Sequence, residues 1–288
     1  MSEDEISTNE ILRMLNSEDE EEKRRVAEIL SRDNISFESL KRFLEEKAKD
    51  PNNREMIIDI MYKLYCVDEY APADRKIASR FKGSGIINFL IRELRREIKR
   101  AKKWKEREVS PEEEYIAVKS EETRRMILYF IEKIWDPRAI DVLIEALEDE
   151  SSLIRVIAAN ILLKMNAKRA IPHIINALKD MRAFDWEEGG FAWSIIETLI
   201  SFGEDAVDAL LNALKSKNDD IRYAAVIALS EIGDPRAIEQ LILMLGDPKI
   251  GVDAMYALIK FGEKAVNPLI RALKDKSIDP KIREDIVY

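Results

Sequence analysis

The second half of the chain repeats one pattern of apolar and polar positions. Five segments open on aspartate, alanine or glycine, carry an alanine at their fourth position, and continue as an apolar stripe. The shared alanine is residue 139, 170, 206, 237 and 265, so successive repeats are 31, 36, 31 and 28 residues apart. A period of this length is typical of proteins that stack copies of one small supersecondary unit.

Each repeat predicts a helical hairpin. In the segment that begins at Asp234, apolar residues at 237, 238, 241, 242 and 245 form one stripe with the 3.6-residue helical period. A polar turn and a second apolar stretch follow, as in IRYAAVIALSEI from Ile221. Asp136 and Asp234 are suited to cap helices, and the prolines after them suit a first helical turn. A lone hairpin cannot bury both faces, so the hairpins are expected to stack.

These repeats resemble the HEAT-repeat family, and more closely its short-repeat branch found in phycobilisome lyase-like proteins. The resemblance rests on the D-P-R-A-I and G-x-x-A-V starts and on the second-helix pattern between Asp219 and Leu229. It implies an all-α fold, a right-handed α-solenoid or superhelix of about seven HEAT-like hairpins. Residues 1–288 are expected to form a single solenoid, with five regular repeats in 136–288.

The first half follows the same plan less regularly. Residues 6–30 and 37–67 predict two hairpins, and residues 85–135 predict a third with unusually long helices, of which 85–108 is strongly basic. Aligning the second helices places a basic residue at one equivalent position, hereafter the ladder position. Its occupants are Lys23, Arg54, Arg124, Arg155, Arg222 and Arg283, whereas Ala192 and Gly251 interrupt the row. The resemblance implies a structural arginine that pairs with an acidic turn of the neighbouring repeat; a ligand-binding row is the alternative.

The amino-acid composition excludes several classes of structure and chemistry. Hydrophobic residues make up 46% of the 288 residues, which excludes wholesale disorder. One cysteine and one histidine exclude an intrachain disulfide, a thiolate cluster and catalysis that needs several histidines, so no metal or cofactor is expected. The acidic start and the lack of a bilayer-length apolar run indicate a cytoplasmic protein with no membrane partner. Charged residues reach 36% with a single glutamine, a balance typical of heat-loving organisms.

A basic segment is the first feature that suggests a partner. Residues 75–107 hold 13 basic and three acidic side chains, although the whole chain carries a net charge of −9. A cationic helix of this kind suits the binding of phosphates in nucleic acid. The alternative is a solvent-exposed helix whose positive charge balances nearby acidic segments. The candidate residues are Arg92, Arg95, Arg96, Lys99, Arg100, Lys102, Lys103 and Trp104.

An irregular loop is the second such feature. Residues 181–193 replace a short polar turn and lengthen one repeat to 36 residues. Aromatic side chains beside carboxylates in a repeat-array loop are typical of a protein-binding site, although they can also fill a gap in the core. The candidate partner-binding residues are Phe184, Asp185, Trp186, Glu187, Glu188 and Phe191. Trp193, one turn before Ile196, is expected in the core.

The sequence therefore favours a non-catalytic protein-interaction scaffold or adaptor. A nucleic-acid-binding solenoid that uses the basic helix is the first alternative, and a lyase-like or DNA-glycosylase-like HEAT enzyme is the second. Di-iron HEAT-like hydroxylases need several histidine–glutamate pairs, which a single histidine excludes. The sequence names neither the partner nor the oligomeric state.

Overall fold

Helices are the only regular secondary structure in the described part of the chain. The computed structural model describes residues 6–73, 76–105, 111–179 and 190–287. This part is 78% helical and contains no β-strand. The predicted all-α solenoid plan is thereby confirmed.

Sixteen α-helices lie within the described residues. They are α1 (Thr8–Leu15), α2 (Glu20–Arg32), α3 (Asn34–Lys47), α4 (Arg54–Asp68), α5 (Ile86–Lys105), α6 (Pro111–Ile134), α7 (Ile140–Ala146), α8 (Ser152–Lys164), α9 (Ile171–Asn176), α10 (Phe191–Ser201), α11 (Glu204–Ala213), α12 (Asp219–Ile232), α13 (Ile238–Met244), α14 (Gly251–Phe261), α15 (Glu263–Lys274) and α16 (Pro280–Asp285). The basic helix α5 thus covers most of the predicted range 85–108, of which residues 106–108 lie outside the described part.

Consecutive helices group into hairpins, and the even-numbered member of each is called its second helix. First helices pack on first helices, as α1 does on α3 and α9 on α11. Second helices pack likewise, α2 on α4, α4 on α6, α10 on α12 and α12 on α14. These two rows of helices define the solenoid arrangement. The sixteen described helices make eight such pairs, against the expected number of about seven.

The chain divides into two compact units, Met1–Ile157 and Ala158–Tyr288. In the first unit, an aromatic cluster fills the core between helices. Phe81 lies 5.0 Å from Phe37 and 6.2 Å from Phe130 between ring centroids, and both pairs are edge-to-face, the arrangement that aromatic quadrupoles favour. In the second unit, small residues are prominent in the core. Ala224, Ala225 and Ala228 of α12 are buried, which lets neighbouring helices approach closely.

Aspartates begin two of the five regular repeats and cap them, as the sequence predicts. Asp136 Oδ1 accepts a hydrogen bond from the Arg138 backbone N–H at 2.9 Å, and Asp234 accepts the same bond from Arg236 at 2.9 Å. The prolines that follow open short 3₁₀ turns, Pro137–Ala139 and Pro235–Ala237, rather than the α-helices themselves. Each arginine side chain also folds back onto its aspartate, at 2.6 Å and 2.7 Å. The D-P-R motif therefore forms a cap, and its arginines also reach neighbouring helices, Arg138 to Asn88 at 3.3 Å and Arg236 to Asp208 at 3.0 Å.

Candidate protein-binding face

Three neighbouring second helices of the second unit, α10, α12 and α14, present one surface to solvent. The side chains that form it stand one, five and eight residues after the ladder position, a spacing that keeps them on one side of a helix. We call this surface the second-helix face. Its nine residues are Trp193, Glu197, Ile200, Tyr223, Ile227, Ser230, Val252, Tyr256 and Ile259.

The second-helix face is apolar and accessible. Seven of its nine side chains are aromatic or aliphatic. On α14 the exposed fractions are 64% for Val252, 64% for Tyr256 and 65% for Ile259. On α12, Tyr223 and Ile227 are half-buried. Contiguous apolar surface of this kind is uncommon on soluble proteins and marks interaction sites.

The equivalent positions of the first unit have a different chemistry. On α2, α4 and α6 they are occupied by Arg24, Glu28, Ser31, Glu55, Asp59, Tyr62, Arg125, Tyr129 and Glu132. Six of these nine residues are charged, against Glu197 alone on the second-helix face. Neighbouring lysine and arginine residues pair with them on the same helix, as Arg32 does with Glu28 at 2.6 Å. Helix stacking therefore does not require apolar residues at these positions.

Carboxylates border the second-helix face. Glu197 Oε1 accepts a hydrogen bond from the indole N–H of Trp193 at 3.2 Å. Asp253 is half-buried, and its burial raises the pKa of its carboxyl group. Burial, followed by the charge of Asp253, raises the pKa of the Tyr223 phenol. Lys260, on the same side of α14, pairs with Glu231 at 2.5 Å.

The cations of the basic helix α5 divide into two groups. Arg95 pairs with Glu145 at 2.7 Å, Lys102 with Glu148 at 3.2 Å, and Arg100 lies 3.8 Å from Glu97. Apart from Lys105, whose side chain lies outside the described part, the other four cations are exposed and spaced four, three and four residues apart, which places them along one side of the helix. This cationic stripe consists of Arg92, Arg96, Lys99 and Lys103, and none of the four forms an ion pair with a described residue. Trp104 belongs to α5, and its side chain lies outside the described part.

A groove of about 460 Å³ adjoins one end of the cationic stripe. Arg42 and Lys49 come from α3 and its end, and Arg92 comes from α5. The Arg92 guanidinium also donates to the Ala48 carbonyl at 3.1 Å. Glu45 and Glu46 line the same groove, so its charge is mixed.

Three of the predicted ladder residues belong to one continuous polar chain inside the first unit. Arg54 contacts Glu93 at 2.5 Å and Glu97 at 2.7 Å. Glu97 accepts from the Ser120 hydroxyl at 2.5 Å, and Ser120 accepts from Arg124 at 2.8 Å. These residues, together with Asp149 and Arg155, are called the polar chain.

The polar chain continues into the next repeat. Arg124 Nε lies 3.0 Å from Asp149 Oδ2, and Arg155 Nη1 donates to the Asp149 backbone carbonyl at 2.7 Å. Asp149 occupies the turn between α7 and α8, so Arg124 pairs with the acidic turn of the following hairpin. Burial raises the pKa of the Asp149 carboxyl, and the charge of Arg124 opposes this shift.

The remaining ladder residues have different surroundings. Arg222 contacts Asp247, in the turn before α14, at 3.0 Å and Asp219 of its own helix at 2.7 Å. Lys23 pairs with Glu20 of its own helix at 2.8 Å. Arg283 lies on α16, and its Nε is buried with no hydrogen-bond partner in the described chain. A structural role for the row therefore remains a proposal, and these contacts support it most strongly for Arg54, Arg124 and Arg222.

The predicted partner-binding loop lies mostly outside the described residues. This applies to Phe184, Asp185, Trp186, Glu187 and Glu188. Phe191 is the first residue of α10 and is 37% exposed, but it is not among the nine residues of the second-helix face.

One sequence expectation about a core residue is wrong. Trp193 is half-buried on the second-helix face, and its indole N–H donates to the exposed Glu197. Cys66 is half-buried, and burial raises the pKa of its thiol. The single histidine, His173, is exposed near the start of α9.

The described residues contain no group of three or more histidine, cysteine, aspartate or glutamate side chains that is able to hold a metal ion. Among the helices of the described part, none combines the length and apolar character that a bilayer span requires.

The shared repeat pattern does not predict the second-helix face, because that pattern contains only what the repeats have in common. The sequence does hold a signal for the face, since residues at the same offset from the ladder position are charged in some hairpins and apolar in others.

Comparison with known proteins identifies the repeats. Residues 189–259 match the family described as HEAT repeats, and residues 154–180 match the family described as PBS lyase HEAT-like repeat. The chain is similar to Protein YibA of Escherichia coli K12, with 28% identity over 149 residues, 52% of this chain and 52% of YibA. It is also similar to the uncharacterized protein SkfG of Bacillus subtilis strain 168, with 42% identity over 76 residues, 25% of this chain and 40% of SkfG. The chain thus spans about half the length of YibA.

Proposed function

We propose, from the premise that the chain is a HEAT-repeat protein, that it serves as a non-catalytic scaffold or adaptor for another protein. The observation that carries this proposal is the contrast between the two units at equivalent positions. The second-helix face is apolar where the first unit is charged, although both stack their helices in the same way. Exposing Val252, Tyr256 and Ile259 has no packing purpose, and a bound partner would remove them from water.

Affinity capture from the source cells tests this proposal. The wild-type chain is compared with Tyr256→Asp, which places a charge in the centre of the face on α14. The matched control is Tyr62→Asp, because Tyr62 is an exposed tyrosine at one of the corresponding positions of the first unit. Both variants are expected to unfold at wild-type denaturant concentrations, since surface substitutions usually change stability by less than about 0.5 kcal/mol.

The expected result is capture of a protein partner that survives nuclease treatment, is lost with Tyr256→Asp and is retained with Tyr62→Asp. Equal capture by all three chains would place the partner elsewhere and remove the observation on which the proposal stands. The capture is carried out with extract from which membranes have been cleared, so that a cytoplasmic partner, as the sequence predicts, is tested directly.

Nucleic-acid binding is the second candidate function, and the cationic stripe favours it. Arg92, Arg96, Lys99 and Lys103 are exposed on one side of α5 and make no ion pair with described residues. Such a row can follow the phosphates of one strand without reading its sequence. Loss of every captured partner on nuclease treatment supports this candidate and contradicts the scaffold.

An enzyme of the lyase or glycosylase type is the remaining alternative from the sequence. Its suggested residues, Asp185 and Trp186, lie outside the described part. No arrangement of the described residues favours it over the other two.

A further inference from the structure

The geometry of the second-helix face limits what can bind there. Neighbouring packed helices lie about 8–10 Å apart, so α10, α12 and α14 present a surface about 20 Å across. An α-helix rises 1.5 Å per residue, so a helix of about 14 residues crosses all three. Its apolar residues would fall at helical spacing and fit the grooves between adjacent second helices.

The side chains of the face favour a helix over an extended peptide. The described residues offer no strand edge to which a peptide could add. Four of the seven apolar side chains, Ile200, Ile227, Val252 and Ile259, are aliphatic rather than aromatic. Proline-rich peptides dock in grooves lined by aromatic rings, whereas amphipathic helices lay an aliphatic side into an apolar groove.

The border of the face determines the charge of its partner. Glu197 is exposed, Asp220 is half-buried one turn before Tyr223, and neither pairs with a cation among the described residues. Asp253 follows Val252 on α14 and is half-buried. The cation on the same side of α14, Lys260, is already paired with Glu231. Carboxylates beside tyrosine and tryptophan rings attract lysine and arginine by charge and by cation–π contact.

We propose that the second-helix face binds an amphipathic helix whose apolar side covers α10, α12 and α14 and whose flanks carry lysine and arginine. This inference rests on the proposed function and names the partner's chemistry. The apolar side chains of the second-helix face supply the affinity. Glu197, Asp220 and Asp253 favour a positively charged partner. A proline-rich peptide and a second copy of this chain are the competing occupants.

Four labelled peptides of about 18 residues, a length of about 27 Å as a helix, test the inference by fluorescence anisotropy with the full chain. The first is an amphipathic helix of leucine and lysine. The second replaces each lysine by glutamate, the third shuffles the first so that no apolar side forms, and the fourth is proline-rich. The first is expected to bind at least tenfold more tightly than each of the others.

Variants locate the binding and separate its two components. Tyr256→Asp is expected to weaken binding of the leucine–lysine helix at least tenfold, and Tyr62→Asp to leave it unchanged. The double variant Glu197→Lys with Asp220→Lys is expected to reverse the preference, so that the glutamate peptide binds more tightly than the lysine peptide. Equal binding of the shuffled peptide, or binding insensitive to Tyr256→Asp, would overturn the inference.

The inference and the proposed function fail in different ways. If Tyr256→Asp abolishes capture of the cellular partner while the glutamate or proline-rich peptide binds best, the scaffold stands and the partner chemistry is wrong. If sedimentation shows a dimer that Tyr256→Asp dissociates, a second copy occupies the face and the inference is overturned. If capture is insensitive to Tyr256→Asp, the scaffold proposal itself has failed.

Discussion

Arg124 of α6 reaches past its own hairpin to Asp149, in the turn between α7 and α8, with 3.0 Å between Nε and Oδ2. The two side chains are 4% and 0% exposed. Ser120 accepts a hydrogen bond from Arg124, and the Arg155 guanidinium donates to the Asp149 backbone carbonyl. Arg124 Nε and Asp149 Oδ2 lie within ion-pair distance without forming a hydrogen bond. The pair therefore joins one repeat to the next within the first unit.

Breaking this pair is expected to destabilise the first unit strongly. Asp149→Ala leaves the Arg124 charge buried without its partner, which typically costs about 3–5 kcal/mol. Urea unfolding followed by circular dichroism measures the loss. Replacing both partners together, Arg124→Met with Asp149→Leu, is expected to recover most of it, because no unpaired charge remains.

An exposed pair provides the control for that measurement. Arg271 and Glu239 lie 3.1 Å apart with side chains 65% and 73% exposed. Glu239→Ala is expected to change the free energy of unfolding by less than about 1 kcal/mol, the usual range for surface pairs. A loss as small for Asp149→Ala would show that the polar chain does not hold the repeats together.

Acid is expected to weaken the aspartate caps. Hydrogen bonds from Arg138 and Arg236 hold the pKa of Asp136 and of Asp234 below the ordinary value of 3.8. The folded state therefore favours the ionised carboxyls. Their contribution is complete above pH 3.8 and disappears as the pH falls through the lowered pKa values.

Asparagine at both positions tests this dependence. Asp136→Asn with Asp234→Asn keeps a capping oxygen but removes the titrating group. Denaturant midpoints measured from pH 7 to pH 2.5 are expected to fall less steeply below pH 4 in this variant than in the wild type. Glu263→Gln, at the exposed start of α15, is the control and is expected to follow the wild-type curve more closely.

Charge reversal along α5 tests the cationic stripe. Arg96→Glu, Lys99→Glu and Lys103→Glu together remove three cations that have no ion pair with described residues. If the stripe binds duplex DNA, the logarithm of affinity falls linearly with that of salt, and loss of three contacts flattens this slope by about 2.7.

The matched control for the cationic stripe reverses Arg95 and Lys102, which already face Glu145 and Glu148. This control is expected to change the slope less. Unchanged slopes in both variants, or no DNA binding at low salt, would remove the second candidate function.

The loop before α10 is tested by Trp186→Ala. The sequence predicts that Trp186 is an exposed partner anchor, so its removal is expected to leave the unfolding midpoint nearly unchanged. Partner affinity is expected to weaken by about 1 kcal/mol or more, the scale of an aromatic contact at an interface. A stability loss of about 3 kcal/mol, typical of a buried aromatic residue, would instead assign Trp186 to the core.

The fold can be predicted from the sequence because the signals for it are local. The alanine at the fourth position of each repeat and the caps at Asp136 and Asp234 depend on a few adjacent residues, and each has one structural interpretation. The row of basic residues at Arg54, Arg124 and Arg222 was also visible, since equivalent positions repeat along the chain. Arg124 and Arg222 pair with aspartates in turns, as the resemblance implies, whereas Arg54 pairs with Glu93 and Glu97, which lie on a helix.

The candidate site was harder to predict because exposure depends on neighbouring helices. Isoleucine and tyrosine, as at Ile227 and Tyr256, are residue types that are common in protein cores. Only the packing of α12 against α10 and α14 shows which side of each helix remains exposed to solvent. Trp193 illustrates the same difficulty. A large apolar side chain in an apolar helix is usually buried, but here its indole turns toward Glu197.

The polar chain links several helices of the first unit and therefore affects how this unit unfolds. Repeat arrays commonly fray from their ends, one hairpin at a time, because each hairpin contacts only its neighbours. Ion pairs and hydrogen bonds from Arg54 to Arg155 link α4, α5, α6 and α8 in series, so breaking one link leaves a buried polar group without its partner. The backbone amides of these four helices are therefore expected to share one hydrogen-exchange free energy, whereas those of α1 and α2 exchange earlier. The unit would act as one cooperative block with a loose N-terminal hairpin.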